Sequence, residues 1–261
     1  MRRHLLQAVS LGLLASFVAG CATIGPAQHP NFTARQPHLH TFAVLPPSVE
    51  VRKLTFNGQE FMHELAEPTR VAVVEAVRTE LAAKGYELVA LDTNALESYP
   101  EVKRSLHTIQ QLFDERLMEY KKRSFWSAHT FNYSVGSEAN VLADSSHSDA
   151  LIVTRCEGLK KSGGEIAKDW AQTVLIAAAT FGGMVVIHYP AVTLIQIGII
   201  DGDTGDILWY AENGSDMRFD IANQEHLNQT VSNLIDKFPR ATPIAQTSAH
   251  NTTEGNSQST W

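Results

Sequence analysis

The sequence predicts an α/β domain with a mixed sheet and helices packed on it. Three observations carry that prediction. A strand, helix, strand order runs through residues 41–91, a long apolar stripe stepping by 3, 4, 4 and 3 follows, and two apolar runs flank an Asp/Gly turn late in the chain.

Residues 41–46 form a short apolar run closed by Pro46 and Pro47, a buried strand that stops where proline withdraws the ladder donor. Residues 48–66 show one turn signal, Asn57-Gly58, and predict no defined element. Pro68 suits the first position of a helix whose Val73, Val77 and Leu81 share one stripe and which Gly85 ends. Residues 86–91 alternate into a second strand. Leu106, Ile109, Phe113, Leu117 and Tyr120 then predict an amphipathic helix over 101–123. Its last turn, Lys121-Lys122-Arg123, complements the carbonyl end of the helix dipole. Residues 138–144 read as one or two helical turns before a strand starting at Ala150. Residues 192–200 and 207–210 read as two strands around Asp201-Gly-Asp-Thr-Gly-Asp206. A last helix over 219–238 aligns Leu227, Val231, Leu234 and Phe238, with Pro239 past its end. Residues 239–261 are polar and aperiodic, a disordered tail ending in Trp261.

Composition is that of a globular protein: 44% hydrophobic, 8% aromatic, with a formal charge of −7. An acidic body with no dense basic stretch argues against a nucleic-acid backbone as partner. Cys21 and Cys156 are the two cysteines; if Cys21 carries lipid, Cys156 has no partner inside the chain and no disulfide framework is expected. Cys156 lies in a strand-like run and reads as a small buried hydrophobe.

The first residues identify a compartment. Arg2 and Arg3 precede an apolar run that ends in Val18-Ala19-Gly20-Cys21, the order of a secretory signal with a small-residue cut site. The run is interrupted and falls short of the ~20 residues a spanning helix needs. Small residues directly before a cysteine resemble the lipobox of bacterial lipoproteins. That resemblance implies cleavage between Gly20 and Cys21 and fatty acylation of Cys21, with 1–20 as signal peptide. Ala22, in place of aspartate, implies the periplasmic face of the outer membrane. Residues 21–40, with Pro26, Pro30 and Pro37, then read as lipidated cysteine and flexible linker ahead of a domain over 41–238.

Candidate chemistry is sparse. His38 and His40, with His29 nearby, are joined by no Cys, Asp or Glu locally, whereas a zinc site usually has three or four ligands, so a polar linker is the better reading and no metal is expected there. Asp201, Asp203 and Glu212 match positions 1, 3 and 12 of a calcium loop, but Gly205 and Asp206 break positions 5 and 6, and a hairpin turn is the better reading. The glycine-rich residues 158–164, the most flexible-looking interior stretch, lack the order of a phosphate loop. Neither a G-x-S-x-G elbow nor H-E-x-x-H occurs, so no catalytic residue and no cofactor is assigned. Trp126, Phe131 and Tyr133 in an aromatic loop form either a partner or membrane contact or a packed domain edge. Residues 174–187, with Phe181 and Met184 around Gly182-Gly183, offer core cover, self-association or membrane contact.

The Phe-Ala-Val-Leu-Pro-Pro opening, the Lys-Gly-Tyr-Glu-Leu helix end, the Ser-His-Ser-Asp lead into Ala-Leu-Ile-Val and the Ile-Ile-Asp-Gly-Asp-Thr-Gly-Asp-Ile-Leu-Trp hairpin resemble one broad group of envelope lipoproteins. That group includes the curli secretion channel lipoprotein, the penicillin-binding-protein activator LpoB and the amino-terminal domain of TolB. The resemblance spans about residues 41–238 and implies a compact fold used for protein contacts. It brings no catalytic residues. The expectation is a non-enzymatic outer-membrane lipoprotein acting in envelope assembly or secretion, held to the membrane by its lipid and binding another envelope protein or assembling with copies of itself. A secretion-channel subunit using 174–187 is the alternative, although the alternating polarity of barrel strands is missing there; a periplasmic enzyme is a third.

Overall fold

A computed structural model of the chain describes residues 25–55, 58–91, 99–124, 129–161, 175–177, 184–186, 190–214 and 217–243. The strands are β1 (Ala27–Gln28), β2 (Thr41–Val44), β3 (Ser48–Thr55), β4 (Gly58–Phe61), β5 (Glu87–Ala90), β6 (Ala150–Lys161), β7 (Leu175–Ala177), β8 (Met184–Val186), β9 (Ala191–Asp201) and β10 (Ile207–Glu212). The helices are α1 (Phe32–Arg35), α2 (His63–Ala83), α3 (Pro100–Ser124), α4 (Glu138–Ser146) and α5 (Gln224–Asp236).

The main sheet runs β1-β10-β9-β6-β2-β5, and it is mixed: β2 is parallel to β5 and β6, while β6, β9, β10 and β1 alternate in direction. The twelve-residue β6 organises it. On one edge it pairs β2 through Phe42↔Ala150 and, beyond the prolines, β3 through Ser48↔Arg155 to Leu54↔Lys161. Pro46 and Pro47 therefore follow the end of β2, as the sequence predicts, and the chain resumes pairing with β6 beyond them as β3. The region that predicted no element is β3 and its hairpin partner β4, and Gly58 supplies the positive φ of +126° that the connection requires.

Helices cover both faces. On the first, Val73, Val77 and Leu81 of α2 and Leu227, Val231 and Leu234 of α5 pack with Phe42, Ile152, Cys156, Ile197 and Trp209 in one apolar core. On the second, Ile109, Phe113 and Leu117 of α3 and Ala139 and Leu142 of α4 pack with Ala43, Leu151, Val153 and Ile200. Gly198 on β9 makes the α3 contact possible, because a Cβ there would overlap the ring of Phe113. His147 ends α4 in the left-handed conformation, φ 51°, and Asp149 then caps the backbone N–H groups of His40 and Thr41 at 2.8 and 2.9 Å.

Several expectations are corrected. The fold starts at Ala27 rather than Thr41. β1 adds to the β10 edge and Phe32 and Leu39 enter the core, so residues 27–40 are part of the domain, not a linker. Pro68 lies inside α2, which begins a turn earlier at His63. The last helix starts at Gln224, where the Asn223 side chain accepts from the His226 N–H at 3.1 Å; Phe219 and Ile221 reach the core from the segment before it. Residues 158–161, placed in a flexible stretch, complete β6. Residues 239–243 dock: Tyr86 donates to the Pro239 carbonyl at 3.2 Å, and the Ala241 N–H donates to Lys84 at 3.0 Å. The rest of the proposed tail lies outside the described residues.

Candidate functional site

The lipidation position Cys21, with Gly20, lies outside the described residues, as do Trp126 and Phe181; Met184 is described only as a backbone position, where it pairs with Ala177 in the β7–β8 hairpin. Phe131 and Tyr133 are 4% and 6% exposed, which overturns them as contact residues in favour of the packed-edge alternative. The extended segment through Val135 presents alternate residues inward, held by Val135 N–H to Gly205 and Ile207 N–H to Tyr133, both 2.9 Å. Tyr120 meets the Phe131 ring edge-on at 4.9 Å. The alternation Phe-Asn-Tyr-Ser-Val was the sequence signal for this burial.

The β9–β10 turn is an anchoring point for the N-terminal segment. Asp201 is fully buried; its carboxylate accepts from Arg35 Nε and, at 2.8 Å, from Arg35 Nη2, which also reaches Asp203 at 2.7 Å. The same carboxylate accepts the Asp203 and Thr204 N–H groups at 2.9 and 3.2 Å. The hydrogen bonds to Asp201, then Asp203, push the Arg35 guanidinium further up from its already high value. A guanidinium occupies the place a calcium ion would need, and Glu212 lies at the far end of β10 with other partners, so the calcium alternative fails. His29 is equally committed: Nδ1 accepts from the Asn31 N–H at 3.2 Å and Nε2 donates to Asn132 Oδ1 at 2.7 Å. Neither nitrogen is left for a metal. Among the described residues no group of three or more His, Cys, Asp or Glu side chains could hold an ion.

A second polar cluster forms where the α3 face of the sheet runs beyond its apolar part. Arg155 and Glu157 on β6, Gln196 on β9 and Glu212 on β10 fall on one face, and α3 lowers Asp114 and Lys121 onto them. Arg155 Nη1 lies 2.9 Å from Asp114 and its Nη2 2.6 Å from Glu157. Lys121 pairs with Glu212, which also accepts from Tyr210 at 2.6 Å and from Gln196 at 3.2 Å; Gln196 donates to the Tyr210 oxygen at 2.7 Å. Burial pulls the Lys121 ammonium down to about 8 against the pull of Glu212. Burial also raises the carboxyls of Glu157 and Asp114 against Arg155, and lifts the Tyr210 phenol well above its usual value, with Glu212 adding to it. Perturbed groups in one place mark a candidate site. Here, though, the cation and carboxylate charges are turned toward each other, which is the arrangement of a structural network. Cys156, on the opposite face, is fully buried and its thiol is pushed up to about 12, so it is inert as a nucleophile.

No known protein-family profile matches the sequence, and no curated protein matches it significantly. Among solved structures, the chain is similar to the PelC dodecamer from Paraburkholderia phytofirmans at 10% identity and a TM-score of 0.34, covering 84% of this chain and 96% of that one. It is also similar to lipoprotein GNA1162 from Neisseria meningitidis (12% identity, 0.27, 66% and 79%) and to a DUF4136 family protein from Bacteroides thetaiotaomicron (12% identity, 0.25, 80% and 92%). At these scores the likenesses carry no argument about function.

Proposed function

We propose that this chain is a lipid-anchored envelope protein without catalytic activity, held at the periplasmic face of the outer membrane and acting through protein contacts in assembly or secretion. The observation that carries the reading is the Val18-Ala19-Gly20-Cys21 signal end. It is supported by a domain whose clustered titratable side chains are engaged with one another: Lys121 with Glu212, Arg155 with Asp114 and Glu157, Arg35 with Asp201. Intact-mass analysis of the mature amino terminus tests the anchor, with an acylated Cys21 expected; a free thiol or a retained leader would overturn it. Crosslinking in intact cells tests the rest, since a monomer with no captured neighbour contradicts a contact role.

A second reading, a subunit of an oligomeric secretion channel, draws on one observation. The backbones of β7 and β8 pair antiparallel, Leu175↔Val186 to Ala177↔Met184, in a two-stranded sheet of their own. Strands cross a bilayer only within a closed barrel, which needs several copies. Conductance in planar bilayers from the acylated oligomer is the expected signature, and silence eliminates this reading.

A further inference from the structure

The sequence suggests a twenty-residue leash, but the fold begins almost at once after the anchor. β1 is hydrogen-bonded to the β10 edge from Ala27, opposite Tyr210, Phe32 is buried, and Arg35 is fastened to Asp201. Residues 22–26 alone separate Cys21 from the first rung. Fully extended at ~3.5 Å per residue, they allow the acylated cysteine to lie no more than about 20 Å from Ala27. The bilayer surface is therefore restricted to the neighbourhood of the β1–β10 edge.

That neighbourhood includes the end of α3. The Lys121 Nζ stands 5.6 Å from the centroid of Tyr210, the ring partnered by Ala27 in the ladder, and Lys122, Arg123 and Ser124 are exposed just beyond it. Among the described residues, the carboxylates paired at this turn are Glu212 with Lys121, and Glu119 with Arg116 and Arg123. Lys122 makes no ion pair among the described residues. The turn is thus net basic on an acidic protein. At the diagonally opposite corner, β4 lies five strand spacings away, on the order of 24 Å across the sheet.

We propose that the last turn of α3, Lys122 with Arg123, rests against anionic phospholipid headgroups, so that the lipid leash and the basic turn together set one orientation of the domain on the bilayer. A chain plus a basic patch is a two-signal attachment, and its electrostatic part acts only within a Debye length of the surface. The proposal rests on acylation of Cys21.

The test uses the full acylated protein in vesicles of phosphatidylethanolamine, with or without phosphatidylglycerol, carrying a headgroup-attached quencher. A fluorophore is placed on Ser124→Cys or, as the distant control, on Glu60→Cys; the buried Cys156 is spared by labelling the folded protein. The label at 124 is expected to be quenched at least about twofold more than that at 60. The excess should shrink without phosphatidylglycerol, in high salt, and in the Lys122→Glu, Arg123→Glu double variant. Equal quenching at both positions, stronger quenching at 60, or indifference to lipid charge would overturn the placement. The mass of the same sample's amino terminus separates the two failures. An acylated protein without asymmetry removes this orientation alone, whereas an unacylated one removes the anchor and the orientation together.

Discussion

The same strands build two unlike faces. The one under α2 and α5 is apolar through its middle, with Phe42, Tyr86, Phe238 and Trp209 meeting at ring distances of 4.7–6.2 Å, and keeps its charges at its two ends, Asp201 with Arg35 and Lys160 with Asp220. The one under α3 and α4 is apolar only at first: Leu151 and Val153 give way on β6 to Arg155 and Glu157, which α3 answers with Asp114 and Lys121. Alternation of side chains lets each face choose its chemistry independently. The lesson is about specificity. Apolar surfaces of the right volume slide and repack, whereas misplaced buried charges are costly, so the charged half of the second face fixes where α3 must lie on the sheet.

The largest effect comes from breaking the closest approach of that second face. Gly198→Val drives a side chain into Phe113, so the variant should lose about 3 kcal/mol in urea unfolding, with partial recovery in a Phe113→Leu background. Next is the charge pairing itself. Glu212→Gln removes the carboxylate paired with Lys121 and should cost about 3 kcal/mol, while adding Lys121→Met should restore most of it, because the buried ammonium is then removed as well. Full recovery failing in the double variant would show that Tyr210 and Gln196 depend on the carboxylate as well. Arg35→Ala should cost about 2 kcal/mol and speed hydrogen exchange at His29, whose N–H donates to the Leu208 carbonyl at 2.9 Å, more than in β6.

The smallest effect is a pH dependence particular to the charged face. Burial holds folded Lys121 near 8, below its unfolded value of 10.5, so between these pH values the unfolded chain binds more protons and stability rises with pH. From pH 8 to 9.5 the wild type should gain on the order of 1 kcal/mol relative to Lys121→Met. Glu157 and Asp114 act in the opposite sense at acid pH. Their folded values are raised, so their contribution is present at low pH and fades as pH climbs out of the carboxylate range.

Sequence patterns revealed the helices and the β9–β10 hairpin because those signals are local. The stripe from Ile109 to Leu117 and the Asp/Gly turn need no knowledge of the rest of the chain. The N-terminal docking escaped because Phe32 and Leu39 are isolated apolar residues among prolines and histidines, and their partners lie at the far end of the sequence. The charged cluster escaped for a related reason. Lys121 and Glu212 are unremarked singly, and only the β6–β9–β10 register brings them together. Polar residues at alternate positions of an otherwise apolar strand, Arg155 and Glu157, were the one hint.

The connection between β6 and β9 has its own consequence. Lys160 sits opposite Ala191, and the Lys161 N–H donates to the Pro190 carbonyl at 2.9 Å, so the chain leaves the sheet and returns to it at a single rung. Closure entropy depends only weakly on what lies between two such ends. Replacing 162–189 by a tight Asn-Gly reversal should therefore leave the pairing of β6 with β9 in place, which a single cooperative urea transition of the shortened chain would show.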